Sequence, residues 1–194
     1  MASTRIEQGI SRVPEDVFIE DGMEVVSGGL TVTAGGLTVT AGTTTLGASF
    51  VRDIVTLTAT DAITVAEHAG RILLMGEVGG DAAATFTLPA ATGSGAEFQF
   101  IVSVVNTSNY VIQVADATDT IDGSVILHQD SANTVVSFNT ASDSDTITLN
   151  GTTKGGVSIG DEITLIDIAT NQYMVKGVLT ASGTEATPFS AAVS

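Results

Sequence analysis

The sequence predicts a nearly all-β protein, and three observations carry that expectation. Of 194 residues, 29 are Thr and 21 are Gly, with Val and Ile frequent and only 3 Pro. β-Branched side chains suit a pleated, half-buried surface, and Gly supplies turns between short strands. Few long helix-forming runs exist, while short β-like stretches recur between turn-forming clusters. Ten or more short strands at that spacing predict a β-sandwich or jelly-roll-like domain.

Residues 1–26 read as an arm. Arg5 to Glu24 holds six acids, two Arg and scattered apolar residues, and Pro14 interrupts any helix. Those apolar residues are too few to build a core alone. The segment is either a flexible terminus or a docking arm that orders on a partner and buries Val17, Phe18 and Ile19. In the second reading Arg5 and Arg12 form ion pairs with that partner.

Residues 27–47 carry an internal repeat. Ser27-Gly-Gly-Leu-Thr-Val-Thr is followed by Ala34-Gly-Gly-Leu-Thr-Val-Thr, then by a degenerate Ala41-Gly-Thr-Thr-Thr-Leu-Gly. The period is seven, but Gly pairs and Thr runs are poor in helices, so this is no coiled coil. Each copy reads as a short strand closed by a Gly-Gly turn, with Leu30, Val32, Leu37 and Val39 on one side. One chain has too little apolar surface here to bury them. Three chains wound about one axis supply the missing neighbours, and Gly permits close approach. The expectation is an intertwined stalk with these four residues as the core of a homotrimer; the alternative is a hairpin laid on the main domain.

Residues 48–194 read as one β domain. Expected strands are Ile54–Thr58, Ala62–Val65, Arg71–Met75, Thr85–Leu88, Glu97–Val104, Tyr110–Val114, Ser124–Leu127, Thr134–Asn139, Thr146–Leu149, Glu162–Asp167, Tyr173–Leu179 and Phe189–Val193. Gly79-Gly80-Asp81, Gly93-Ser94-Gly95, Asn106 to Asn109, Asp122-Gly123, Asn150-Gly151 and Gly155-Gly156 mark the turns. Ala62–His68 carries the one hint of a helical turn, with Asp61 as its N-cap.

Composition narrows the function. Hydrophobic residues make up 43% of the chain, enough for a core, and charged residues only 14%. Net charge is −16, so nucleic acid and anionic membranes should repel it. Cys is absent, which excludes disulfides and thiolate chemistry. No apolar run approaches the ~18 residues of a membrane span. The start, Met1-Ala-Ser-Thr-Arg, lacks the layout of a signal peptide.

Catalytic patterns are weak. His68 and His128, the only histidines, stand in no metal-ligand spacing and read as surface or strand-end residues. There is no Gly-x-Ser-x-Gly elbow, and Ser94 lies in a plain turn. Asp116, Asp119 and Asp122, Asp143 and Asp145, and Asp161 with Glu162 cluster, but none matches a calcium loop; they read first as solvated turn acids, with a divalent-cation site as the alternative. Glycoside hydrolysis wants an aromatic-lined cleft, and the chain has no Trp and 2 Tyr. Lys154-Gly155-Gly156 lacks the spacing of a phosphate-binding loop. No cofactor or metal is expected.

The repeat precedes Gly70-Arg-Ile-Leu-Leu-Met-Gly-Glu-Val, Ala84-Thr-Phe-Thr-Leu-Pro-Ala-Ala, Gly95-Ala-Glu-Phe-Gln-Phe-Ile-Val and the long segment Gly160 to Thr184. In these features residues 60–190 resemble the head decoration (cement) and head-fibre proteins of tailed bacteriophages, whose modules also occur in tail fibres. The resemblance implies a trimeric, non-enzymatic protein on the outer surface of the virion. Its partners would be the major capsid protein and other copies of itself, with attachment through the N-terminal side. It supplies no catalytic residues. The competing readings are a tail-fibre or spike module gripping a host glycan, for which aromatic residues are scarce, and an enzyme, for which no site is recognisable.

Overall fold

A computed structural model describes residues 51–77 and 82–193. Within them the chain is nearly all β, in two mixed sheets. The strands form where side chains alternate between a core and an outer face. β1 (Ile54–Leu57), β3 (Ile72–Met75), β5 (Glu97–Val102), β10 (Glu162–Ala169), β11 (Gln172–Ala181), β7 (Thr120–Gln129) and β8 (Val135–Asn139) make a seven-stranded sheet in that spatial order. β12 (Phe189–Ser190), β9 (Thr146–Leu149), β6 (Tyr110–Gln113), β4 (Ala84–Thr87) and β2 (Asp61–Ala62) make a five-stranded one.

The first six strands alternate between the sheets. β1, β3 and β5 lie side by side and parallel in the larger sheet; β2, β4 and β6 do the same in the smaller. The chain therefore winds through three turns, each giving one strand to each sheet. Strands that recur in a sheet after a full turn must run the same way, so this half departs from the antiparallel pairing of a jelly roll. In the second half β10 closes on β5 and β11 antiparallel, while β11 runs parallel to β7 along its full length.

Both sheets feed one apolar core. Successive turns stack like on like: Leu73 opposite Phe100, Met75 opposite Val102, and Phe86 opposite Ile112. Phe86 of the small sheet stacks on Phe100 of the large one, with ring centroids 5.9 Å apart, and on Tyr110 at 6.0 Å. Each fully buried Tyr hydroxyl has a partner. Tyr110 Oη accepts from Glu77 N and donates to the Val104 carbonyl, and Tyr173 Oη donates to the Pro89 carbonyl at 2.7 Å.

Four sequence expectations shift. Ala62–Val65 is not a strand: β2 ends at Ala62 and a short helix, α1 (Val65–His68), follows. Its N-cap is Thr64, whose hydroxyl accepts the Glu67 N–H, not Asp61, which pairs with Phe86. Asp122-Gly123 is not a turn but the interior of β7. Gly123 sits at φ +143°, where a β-carbon would fall 2.1 Å from the Val175 carbonyl oxygen, so only glycine lets the strands approach. The last strand stops at Ser190, because the N–H groups of Ala192 and Val193 turn to the Asp145 carboxylate.

Candidate functional site

The densest polar construction surrounds the loop from Pro89 to Gly95, which carries the chain from β4 to β5. Asp167, on β10, points its carboxylate into this loop. Oδ1 accepts from Gly93 N at 2.7 Å and from Thr92 N at 3.1 Å. Oδ2 accepts from Ser94 N at 2.9 Å, Ser94 Oγ at 2.6 Å and Thr92 Oγ at 3.2 Å. Gly93 at φ +78° and Gly95 at φ +74° bend the loop so that its amides converge. Such a nest of N–H groups is an anion site, and here the chain's own carboxylate fills it. The rest of the loop is held as firmly: Ala91 N donates to Asp119 Oδ2, Asn171 N to the Ala91 carbonyl, and Tyr173 Oη to the Pro89 carbonyl.

Asp119, Asp145, Asp161 and Asp167 are each 5% exposed or less, which corrects the expectation of solvated turn acids for the first three. Asp116 and Asp143 do remain exposed. Asp161 accepts from Gly156 N at 2.8 Å and Thr180 N at 2.9 Å through one oxygen, Oδ2. Asp145 holds Ala192 N and Val193 N and accepts from Thr146 Oγ. Their titrations differ. Burial raises Asp161, and its backbone hydrogen bonds do not offset that. Burial also raises Asp119, helped by the negative charges of Asp116 and Asp167. Asp167 lies less deep and is also penalised by burial, yet its hydrogen bonds from Ser94, Gly93 and Thr92 outweigh that and bring it down to about 2. Tyr173 is pushed up by burial and by Asp167 and Asp119. The four carboxylates are partnered by main-chain amides, which makes them clasps for loops.

The histidine expected at the surface is buried. His68 is 4% exposed, and its Nδ1 accepts the Thr64 N–H at 3.0 Å. That bond places the proton of the neutral ring on Nε2, which lies 3.9 Å from Asp61 Oδ2. Thr64 Oγ, 3.4 Å from Nδ1, serves as helix cap. A hydroxyl, an imidazole and a carboxylate thus stand in sequence, but the ring lone pair that a nucleophile would need is already taken by an amide. His128 is exposed on β7, as expected. Among the described residues no three His, Asp or Glu side chains gather as a metal ion requires, and no helix is long and apolar enough to cross a membrane.

The other feature is the outer face of the seven-stranded sheet. Register places Leu74, Ile101, Glu162, Val178, Ile126 and Ser137 in one row across six strands. The next row runs Ile72, Gln99, Thr164, Lys176, Ser124, Asn139. Val178 and Ile126 are 50% and 40% exposed. A polar chain crosses this face: Arg52 donates to Glu97 at 3.2 Å and to Gln99, and Gln99 Nε2 donates to Glu162 Oε1 at 2.7 Å. Ser124, Ile126, Glu162, Lys176, Gly177 and Val178 line a shallow depression in it.

The residues expected to bind the capsid (Arg5, Arg12, Val17, Phe18 and Ile19) and to form the trimer core (Leu30, Val32, Leu37 and Val39) lie outside the described residues. Sequence reasoning missed Asp167 as a loop holder. Its signal was a charge set between Ile166 and Ile168 in the β10 run, six residues after Asp161. Comparisons with protein-family models, with curated proteins and with solved structures return no match.

Proposed function

We propose that this chain is a structural protein of a tailed-bacteriophage particle. It decorates and stabilises the outside of the capsid as a homotrimer, attached through its N-terminal side. In this reading the two sheets form a β-sandwich, preceded by the residue 27–47 stalk and the residue 1–26 arm. The observation that carries it is the use made of the buried carboxylates: Asp119, Asp145, Asp161 and Asp167 all accept main-chain amides that pin loops. Four ionisable groups committed to holding shape suit a protein whose work is mechanical. The Leu-Thr-Val-Thr repeat and the likeness to decoration proteins supply the assembly and the location.

Physically, a trimer over a junction between capsomers touches several subunits at once. Its three arms bind multivalently, so modest contacts sum to strong retention. A ligand of the intact shell stabilises that shell by mass action. Phe18 and Ile19 supply most of the affinity, because exposed ion pairs of Arg5 and Arg12 are weak and screened by salt. The test is DNA release on heating, from particles with and without the full-length chain bound. Decorated particles should hold their DNA to higher temperature and keep the protein in high salt. Superimposed release curves would defeat the stabilising role, and binding to a host glycan in place of shells would favour a tail-fibre module.

A further inference from the structure

Among the turn signals of the sequence, Asn150-Gly151 carries a chemistry that no other Asn of the chain shares. The six Asn are followed by Thr, Tyr, Thr, Thr, Gly and Gln, so Asn150 alone precedes a residue without a side chain. The backbone nitrogen that follows an Asn can attack the side-chain carbonyl carbon and close a five-membered ring. A side chain on the attacking residue hinders that approach, and Gly removes the hindrance. The turn admits no other residue there: Gly151 sits at φ +64°, and a β-carbon would fall 2.6 Å from the Asn106 carbonyl oxygen.

The fold holds both reacting groups. Gly151 N, the nucleophile, donates to the Gly155 carbonyl at 3.0 Å. On Asn150, Oδ1 accepts from Thr152 N at 3.0 Å and from Lys154 N at 2.9 Å, and Nδ2 donates to Thr153 Oγ at 3.3 Å. Ring closure must pull the Gly151 nitrogen off Gly155 and swing the side-chain carbonyl away from two amides, so the turn has to open first. Bonds from a distant segment brace it shut: Ser182 N donates to the Thr152 carbonyl, and Ala186 N to the Thr153 carbonyl. The amides on Oδ1 also polarise the carbonyl, but that gains nothing while the nucleophile is tied to Gly155.

We propose that Asn150 is the chain's site of spontaneous deamidation, and that the turn over residues 150–156 keeps it shut in the folded protein. In the step itself the Gly151 nitrogen gives up its proton and bonds to Asn150 Cγ. The Cγ–Nδ2 bond breaks, and ammonia leaves carrying that proton. Water then opens the cyclic imide at either carbonyl, giving aspartate or isoaspartate, and no oxidant takes part. Either product adds one negative charge. The inference does not depend on the proposed function and stands whether or not the chain decorates a capsid.

The full-length chain is incubated in native buffer and in guanidinium chloride at the same pH and temperature. It is then digested, and each Asn peptide is followed by its mass and its added charge. In denaturant, Asn150 should deamidate faster than any of the other five Asn. In native buffer it should react at least about tenfold more slowly than in denaturant, because only the open fraction of the turn reacts. Equal rates at Asn150 in the two conditions overturn the proposal. So does a faster reaction in the folded chain, which would mean that the amides on Oδ1 activate the carbonyl. A denatured chain in which another Asn reacts first overturns it as well.

Discussion

Asp161 and Asp167 stand at opposite ends of the same strand, both almost out of reach of water, and they titrate in opposite directions. Asp161 offers a single oxygen to two amides. Asp167 uses both oxygens, against amides and hydroxyls of three consecutive residues. Burial penalises the charge at both ends. At Asp161 the compensation falls short; at Asp167 it exceeds the penalty. Asp161 also lies deeper, so depth and loop geometry together set whether a buried carboxylate strengthens the fold or burdens it. The loop around Asp167 has Gly93 and Gly95 to aim its amides, while the chain near Asp161 brings amides from two separate segments.

The sharpest way to break this contrast is Asp167→Asn. An amide cannot accept at both positions, so its NH₂ would face N–H donors. The substitution should cost on the order of 2–3 kcal/mol at pH 7, read by denaturant unfolding. The folded-state pKa of Asp167 is depressed, so its stabilisation is present above the unfolded value near 3.8 and fades as pH falls through about 2. The deficit of the Asn variant should therefore be full above pH 4 and shrink toward pH 2. A deficit independent of pH would show that shape, not charge, holds the loop.

Ser94→Ala removes one of the charge-assisted bonds and leaves the amides in place. About 1–2 kcal/mol should be lost, with the Asp167 pKa rising toward the ordinary carboxylate range, measurable by NMR titration. Asp161→Asn should have the smallest effect, under about 1 kcal/mol, because its one accepting oxygen survives in an amide. Its pH dependence should have the opposite sign. The raised pKa means a penalty that grows as pH climbs from the unfolded value through the folded one, so the Asn variant gains on the native chain with rising pH. A loss as large as that of Asp167→Asn would erase the distinction.

Much of the β architecture was legible from residue patterns. Glu97-Phe-Gln-Phe-Ile-Val alternates because one face of β5 meets the core, and Tyr110 to Gln113 does the same in the other sheet. The winding of the first six strands was not legible, because its turns differ in length and leave no repeat to count. Asp122-Gly123 misled because the dipeptide that makes turns also lets one strand pass close to another. The clasps were half visible. Gly93-Ser94-Gly95 announced a turn, but nothing local says that a carboxylate more than seventy residues away would fill it. His68 was misread because its burial comes from tertiary packing, not from its neighbours in sequence.

With the buried acids occupied in holding loops, the work proposed for the protein is assembly. The most direct test is the molar mass of the full-length chain at micromolar concentration, by light scattering coupled to gel filtration. Three copies of 19.6 kDa predict about 59 kDa, stable on dilution. A single species of about 20 kDa that stays monomeric at every concentration would contradict the account.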